Sequence, residues 1–211
     1  MSGREPSMDA LRAEAERLAA GAGGLPAGRL VFGEGNPRAE LVIVGEAPGE
    51  TEARLGRPFV GRAGRLLDDL LAEAGLDRAD AWVTNVVKVR PTAGEGPRRR
   101  NRPPRVSEVR AWLPVLDAEI AAVDPAVLLG LGAFAGRALV GPEFQMGRDR
   151  GRVVVGRHGR PCLVTYHPAY LLRQHGERFA EIRRLAAADL AAVGVRLAEL
   201  RDARSGGRSS R

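Results

Sequence analysis

Residues Leu41-Val42-Ile43-Val44-Gly45 form a short apolar run that stops at a glycine. A run of this kind is typical of a strand buried on both faces of a parallel sheet. Residues 63–74 follow with leucines at helical spacing, and Gly75 is the residue type preferred just after a helix. Residues 81–87 predict the next strand. The segment from 41 to 87 is therefore expected to form one βαβ unit.

The remaining segments extend this alternation on both sides. We expect helices over 8–20, from Ser107 onward, over 133–140 and over 177–200, and strands over 126–131, 153–155 and 162–165. Parallel strands require right-handed helical crossovers, which cover both faces of the sheet. The pattern predicts an α/β fold, a three-layer αβα sandwich around a central, mainly parallel, four-stranded sheet.

The length of the chain, 211 residues, favours a single domain with one active site. We expect residues 1–200 to form that domain. Residues 201–211 are rich in serine, glycine and arginine, so they are expected to be a disordered tail.

Composition also predicts the cellular setting. No apolar run approaches the ~18 residues that cross a bilayer, so we expect no membrane partner. Residues 1–6 are polar and lack the apolar region of a secretion signal, which predicts a cytoplasmic location. We expect the protein to be a monomer.

Cysteine content and net charge restrict the partners. Cys162 is the only cysteine, and a single thiolate holds neither a cluster nor a structural zinc, so we expect no metal and no cofactor. The net charge of +7 and the pI near 10.9 favour nucleic acid, because each neutralised phosphate releases counterions. The alternative is that an arginine-rich proteome raises the pI, since Lys88 is the only lysine.

Three loops that follow predicted strands hold the candidate chemistry. Residues 45–49, Gly-Glu-Ala-Pro-Gly, let backbone N–H groups approach a ligand closely, although a plain turn is the alternative. Asn85 offers a donor and an acceptor that match a pyrimidine edge, or it caps its own loop. His167 precedes a proline that can open a helix, or it has a structural role. Ligands of such folds bind where the carboxyl ends of the strands meet, so these loops should converge.

Four segments together resemble the family 4 uracil-DNA glycosylases and the related X-type, DNA-crosslinking branch. The resemblance extends from about Leu11 to about Leu200. Its most specific elements are Gly45-Glu46-Ala47-Pro48-Gly49, Gly56-Arg57-Pro58-Phe59-Val60-Gly61, Thr84-Asn85-Val86-Val87-Lys88 and His167-Pro168-Ala169-Tyr170-Leu171-Leu172-Arg173.

The resemblance implies roles for the residues of a uracil pocket. The backbone of Gly45, Glu46, Ala47 and Gly49 would hold the flipped base, and Phe59 would stack on its ring. Asn85 would bind the N3–H/O4 edge, and His167 would donate a hydrogen bond to O2. Glu52 would position or activate the attacking water, although the family's Glu-Asp pair is Glu52-Ala53 here. Ala47 stands where family 1 enzymes have their catalytic aspartate.

The resemblance also implies a DNA-binding surface. The enzyme reaches a base by flipping it out of the stack. An apolar wedge and phosphate contacts can offset the free-energy cost of this step. Tyr170, Leu171 and Leu172 would supply the wedge and Arg173 a phosphate contact, unless they simply begin an amphipathic helix. The basic loop with Arg98, Arg99, Arg100, Asn101 and Arg102 would grip the backbone, unless it is only a solvated arginine run.

The sequence departs from both branches of the family. The four cluster cysteines of family 4 align with Ala20, Gly23, Val89 and Trp112, which suggests that packing fills the space of the cluster. The histidine of the X-type loop, which bonds to deoxyribose, aligns with Asn101, and a neutral amide is too weak a nucleophile for that reaction.

These expectations define the leading function and its alternatives. The leading one is a uracil-DNA glycosylase that acts in base excision repair on uracil-containing DNA, single- or double-stranded, and leaves an abasic site. One alternative is a protein that binds uracil or abasic DNA with little turnover, and another is a covalent X-type binder. A third is wider specificity, for hypoxanthine or xanthine.

Overall fold

The computed structural model describes residues 7–206. Its helices are α1 (Met8–Ala19), α2 (Glu50–Leu55), α3 (Arg62–Glu73), α4 (Val106–Val123), α5 (Gly132–Leu139), α6 (Met146–Asp149), α7 (Pro168–Leu171) and α8 (Gly176–Gly206). Its strands are β1 (Glu34–Gly35), β2 (Leu41–Gly45), β3 (Ala81–Asn85), β4 (Thr92–Ala93), β5 (Arg100–Asn101), β6 (Val127–Leu131), β7 (Val154–Val155) and β8 (Pro161–Thr165).

The main sheet has the strand order β1-β3-β2-β6-β8-β7. The four inner strands are parallel to one another, which confirms the predicted α/β fold. The expected number of four strands is too low, because β1 and β7 pair antiparallel at the two edges. Strand β1 is two residues long, too short to give an alternating pattern in the sequence, whereas β7 lies within the strand predicted over 153–155.

The two faces of the sheet pack against separate layers of helices. Val42 and Val44 belong to an apolar cluster that also contains residues of α1, α4 and α5. Leu41 and Ile43 belong to a second cluster, with residues of α3, α7 and α8. Successive side chains of a strand point to opposite faces, so a wholly apolar strand is what a sheet covered on both sides requires.

Several element boundaries differ from the predicted ones, and hydrogen bonds explain two of these differences. Strand β3 ends at Asn85 and not at Val87, because the Val86 and Val87 N–H groups donate to the carbonyls of Gly45 and Glu46, at 2.9 and 3.1 Å. Helix α4 begins before Ser107, because the Glu108 carboxylate accepts from the Arg105 N–H at 2.7 Å and closes the first turn.

The prediction of a disordered tail from residue 201 is wrong as far as Gly206. Helix α8 continues through these residues, and Arg201 and Arg204 pair with Glu40 at 2.5 and 3.5 Å. Residues 1–6, used for the export argument, and residues 207–211 of the predicted tail lie outside the described residues. Within residues 7–206, no helix has the length and apolar character needed to cross a membrane.

Candidate active site

The loops that follow β2, β3 and β8 converge on one cavity of about 390 Å³. In the parallel ladder Gly45 pairs with Asn85, so the ends of β2 and β3 are level. The predicted site residues among those that line the cavity are Glu46, Ala47, Gly49, Glu52, Phe59, Asn85, Asn101, Arg102, His167 and Arg173. Phe134, at the start of α5 after β6, also lines it and was missed by the sequence analysis.

Gly45 lies beneath two residues that form the cavity. A Cβ atom at Gly45 would overlap the Asn85 side-chain oxygen and the Phe59 ring. A glycine is therefore required here for close approach, and any larger residue would displace both groups.

Phe59 has a left-handed backbone conformation, with φ of 52°. Arg78 holds this turn, since its guanidinium donates to the carbonyl oxygens of Pro58 and Phe59 at 2.7 and 2.9 Å. Arg78 also pairs with Asp68 at 3.0 Å and with Glu34 at 3.5 Å. The Phe59 ring stacks with the His167 ring at 5.9 Å between centroids. Arg78 lies in a loop before β3 that carries no local signal of this role, so the sequence analysis missed it.

Asn85 is only 2% exposed, yet its side-chain Oδ1 has no hydrogen-bond partner within the described residues. Leaving a buried amide oxygen without a partner costs free energy, so each such atom in a native protein requires an explanation, and a role in the function of the site is one. The Asn85 amide is therefore suited to bind a polar group that enters the cavity.

His167 caps the first turn of α7. Its Nδ1 accepts from the Ala169 N–H at 3.0 Å, so the ring proton of the neutral form is on Nε2. Burial, together with the positive charge of Arg173, lowers the pKa of His167 from 6.5 to about 4. At neutral pH this side chain is an uncharged donor at the wall of the cavity.

Two carboxylates lie at the same cavity. Glu52 accepts from the Gly61 N–H at 2.7 Å through Oε1, while Oε2 lies against Gly49. Glu46 is half-buried, and this burial raises the pKa of its carboxyl while the charge of Arg173 acts in the opposite direction. Glu52 thus keeps one oxygen beside the glycine turn, and Glu46 holds its proton more tightly than an exposed glutamate does.

The basic loop forms the hairpin of β4 and β5, and Arg98, Arg99 and Arg100 are exposed on it. Asn101 lines the cavity, and its Oδ1 accepts from Arg90 at 2.6 Å. Arg102 was expected to contact DNA, but its guanidinium donates to both oxygens of Glu108, at 2.5 and 2.7 Å. That pairing leaves Arg102 as an anchor of the loop and lowers the pKa of Glu108.

The predicted wedge is only partly available. Leu171 is fully buried in the core, so its assignment as a wedge residue is wrong. Tyr170 and Leu172 are half-buried beside it, and Arg173 is exposed. The Tyr170 ring stacks on Tyr166 at 5.7 Å between centroids, which keeps it at the surface of α7. Leu171 is the last residue of the short helix α7, and its side chain points into the apolar cluster formed with α3 and α8.

The positions aligned with cluster cysteines do not fit an iron–sulfur cluster. Val89 and Trp112 are buried and line a cavity of about 160 Å³, while Ala20 and Gly23 are exposed. None of these residues supplies a thiolate, which such clusters require. Within residues 7–206, no group of three His, Cys, Asp or Glu residues is arranged to hold a metal ion.

Comparison with known proteins agrees with this site. The family model described as the uracil DNA glycosylase superfamily matches residues 32–191. The chain is 41% identical over 162 residues to a type-4 uracil-DNA glycosylase of Thermotoga maritima, which covers 76% of this chain and 79% of that protein. It is 38% identical over 170 residues to a type-4 uracil-DNA glycosylase of Sulfurisphaera tokodaii, with 74% of each chain covered.

A third relative supports the same family. The type-4 uracil-DNA glycosylase of Pyrobaculum aerophilum is 40% identical over 151 residues, which cover 68% of this chain and 74% of that protein. The family-model match, residues 32–191, includes all three loops that meet at the cavity, and the α/β fold is the one predicted from the sequence. From the extent of the family match and the level of identity, the chain belongs to the uracil-DNA glycosylase superfamily.

Proposed function

We propose that this protein is a uracil-DNA glycosylase that hydrolyses the N-glycosidic bond of deoxyuridine flipped out of DNA. The products are free uracil and an abasic site, as in the first step of base excision repair. The observation that supports this most strongly is the neutral His167 donor, which shares one cavity with the unpartnered amide of Asn85. The type-4 enzymes, with which the chain is about two fifths identical over the aligned residues, support the same reaction.

Base recognition is assigned to Asn85 and Phe59. The Asn85 amide binds the N3–H/O4 edge of uracil, because a group that donates and accepts matches that edge. Phe59 stacks on the pyrimidine ring, and Gly45, Glu46, Ala47 and Gly49 surround it with backbone. The conformation of Phe59, held by Arg78, keeps the stacking ring beside His167.

Cleavage of the glycosidic bond leaves negative charge on the uracil. His167 donates from Nε2 to O2, where part of that charge accumulates. A neutral imidazole is suited to this, since its low pKa keeps it uncharged and its orientation is fixed by the Ala169 N–H before the reaction. A donor oriented in advance needs no rearrangement as the charge develops.

Glu52 is assigned to the attacking water. One carboxylate oxygen is tied to the Gly61 N–H, so the other is held in place near Gly49 to accept a proton or orient the water. The following residue is Ala53, so this chain depends on one carboxylate where the family's pattern has two.

DNA is held by a basic surface around the cavity. Arg98, Arg99 and Arg100 contact backbone phosphates from the exposed hairpin, and Arg173 contacts a phosphate beside the flipped nucleotide. Tyr170 and Leu172 fill the space that the base leaves. We further propose that the enzyme is a cytoplasmic monomer. We also propose that it has no iron–sulfur cluster, since residues such as Val89 and Trp112 occupy the positions aligned with the cluster cysteines.

One assay separates this function from binding without turnover. Purified protein is incubated with an oligonucleotide that contains a single uracil, and the products are treated with alkali and resolved on a denaturing gel. Strand cleavage after alkali supports the glycosylase. A band shift of untreated samples on a native gel, together with strands that stay intact after alkali, would instead favour the binding protein. Replacing uracil with hypoxanthine tests wider specificity.

A further inference from the structure

Lys88 is the only lysine of the chain, and its side chain is completely buried behind the candidate site. Its ammonium donates to the Thr84 hydroxyl at 2.6 Å and to the main-chain oxygen of Asn85 at 2.7 Å. It also pairs with Glu119 of α4, which is equally buried. The three donors of the ammonium therefore have three acceptors, and one of these acceptors belongs to the proposed base-reading residue.

Glu119 completes a closed network. Its carboxylate accepts from the Thr84 hydroxyl at 3.0 Å and from the Gly33 N–H at 3.1 Å. The network thus joins the middle of α4 to the end of β3. Burial lowers the pKa of Lys88, and the charge of Glu119 acts in the opposite direction.

A buried ion pair of this kind is weak evidence of a role in stability. Removing two charges from water costs about as much free energy as their mutual attraction returns. Well-packed apolar residues of similar size often give the same stability. Neither Lys88 nor Glu119 lines the cavity, and the proposed chemistry uses neither of them. Their placement therefore calls for another explanation.

The explanation lies in how Asn85 is held. The Asn85 Oδ1 has no hydrogen-bond partner in the described part of the chain, so its position is set chiefly by the backbone. On one side of the Asn85–Val86 peptide group, the Val86 N–H donates to the Gly45 carbonyl at 2.9 Å. On the other side, the main-chain oxygen of Asn85 accepts from the Lys88 ammonium. The peptide group is fixed through both of its polar atoms.

We infer that Lys88 is a positioning residue that sets the orientation of Asn85 and thereby the affinity of the cavity for uracil. Glu119 keeps the ammonium in place. The inference rests on the proposed function of Asn85 as the residue that reads the base.

The main test is the double variant Lys88→Met/Glu119→Gln. It removes both charges together, so neither is left buried alone, and glutamine can still accept from Gly33. We expect the inhibition constant of free uracil, measured by competition against uracil-DNA, to rise about tenfold, the value of one hydrogen bond. Titration with abasic DNA counts the competent molecules, so partial unfolding does not imitate the effect.

The single variant Glu119→Gln separates positioning from stability. Lys88 then loses its counter-charge but keeps its N–H donors, so it can still donate to the Asn85 main-chain oxygen. The thermal midpoint should fall, while the inhibition constant of uracil should stay within about twofold of wild type, because the donor remains. Equal weakening of uracil binding in this variant and in the double variant would overturn the inference, and so would wild-type binding in the double variant. If this double variant does not fold, Lys88→Leu/Glu119→Gln takes its place, because it also removes the Lys88 donor without leaving a charge buried alone, and the same two outcomes apply to it.

Two further variants serve as controls. Asp117→Asn/Arg157→Gln removes another ion pair of the same helix, one that is partly exposed and outside the cavity, and should not change uracil binding. Asn85→Ala tests the premise: if it also binds uracil normally, the proposed reading role of Asn85 fails. If only Asn85→Ala weakens binding, the reading role stands and the positioning role of Lys88 fails.

Discussion

His167 is the proposed hydrogen-bond donor of the reaction, and its neighbours set the protonation state of the ring. The Ala169 N–H occupies Nδ1, and burial keeps the ring uncharged at neutral pH. A charged imidazolium would attract anionic leaving groups more strongly, but it would have to lose much more hydration on burial. In the proposed reaction, the neutral imidazole is therefore a weaker donor, but it needs no change of protonation before it acts.

Replacement of His167 by alanine should lower single-turnover excision of uracil by about 10²-fold or more, the usual effect of removing such a donor. Binding of abasic DNA should remain nearly unchanged, since no phosphate contact is lost. Rapid-quench kinetics and fluorescence anisotropy measure the two quantities. Unchanged excision would remove His167 from the reaction.

The shifted pKa of His167 also predicts a pH dependence of stability. The unfolded chain takes up a proton near pH 6.5, whereas the folded protein does so only near pH 4. Stability is therefore complete above about pH 6.5 and falls as the pH drops toward 4, by about 3 kcal/mol in total. Urea denaturation across this range should show the loss in wild type and not in His167→Gln. His175→Gln, at an exposed position, should follow wild type.

Asn101 allows a test of the crosslinking alternative. It lines the cavity where the X-type loop would have its histidine, and its amide is bound by Arg90. Wild type should leave no protein–DNA species after heat and detergent, because an amide does not compete with water. Asn101→His should yield some stable adduct, since a neutral imidazole within about 3 to 3.5 Å of the sugar has a large effective concentration. The readout is a shifted band on a denaturing gel. An adduct formed by wild type would contradict simple turnover.

Among single residues, the sequence predicted the candidate site residues that follow strands. It missed those whose contacts are with residues distant in the sequence. Asn85 and His167 could be found because strand ends of a parallel sheet meet at one edge. Arg78 could not, since nothing local indicates that its guanidinium reaches the carbonyls of Pro58 and Phe59. Leu171 was misassigned for a related reason: whether a leucine on a four-residue helix points outward depends on the layer beneath it.

At the scale of elements, α4 contacts both the basic hairpin and the network behind Asn85. Its first turn binds Arg102 through Glu108, which anchors the basic hairpin, and its middle binds Lys88 through Glu119. The sequence predicted this helix and its apolar face. It did not indicate that two buried glutamates, three turns apart, would each receive a cation from a different loop, because such pairs depend on tertiary packing.

The hairpin itself should act through charge and not through sequence recognition. Replacing Arg98, Arg99 and Arg100 with alanine should weaken binding of uracil-containing and control DNA similarly, and should lower the slope of log affinity against log salt by about two to three units. Anisotropy titrations between low and moderate salt measure the slope. The triple variant Arg196→Ala/Arg201→Ala/Arg204→Ala on α8 changes the net charge equally and should leave the slope nearly unaltered. No difference between the two triple variants would restore the solvated-arginine interpretation.

At the scale of the whole molecule, alternation of strands and helices was enough to predict the layers of the sandwich. The four inner strands are buried along almost their whole length and are mostly apolar, and their polar residues, Thr84, Asn85 and Thr165, lie at strand ends. Burial on both faces explains this pattern, and the packing clusters on the two sides of the sheet agree. The extent of α8 was not predictable in the same way, because its last turn is polar in sequence. Local composition indicated disorder, whereas the helix continues through these residues, with Arg201 and Arg204 paired with the distant Glu40 carboxylate.

The whole fold should also be independent of metal, and Cys162 provides a probe of this. The thiol is fully buried in β8, and burial raises its pKa to about 12, so a thiol reagent should react with it only when the molecule opens. Purified protein should be colourless and contain no stoichiometric iron, because Ala20, Gly23, Val89 and Trp112 offer no thiolate. Chelator with a mild oxidant should change neither the thermal midpoint nor the labelling rate of Cys162, whereas urea should raise that rate in step with global unfolding. Labelling accelerated by chelator alone, or iron near four atoms per chain, would mean that a metal centre supports the fold after all.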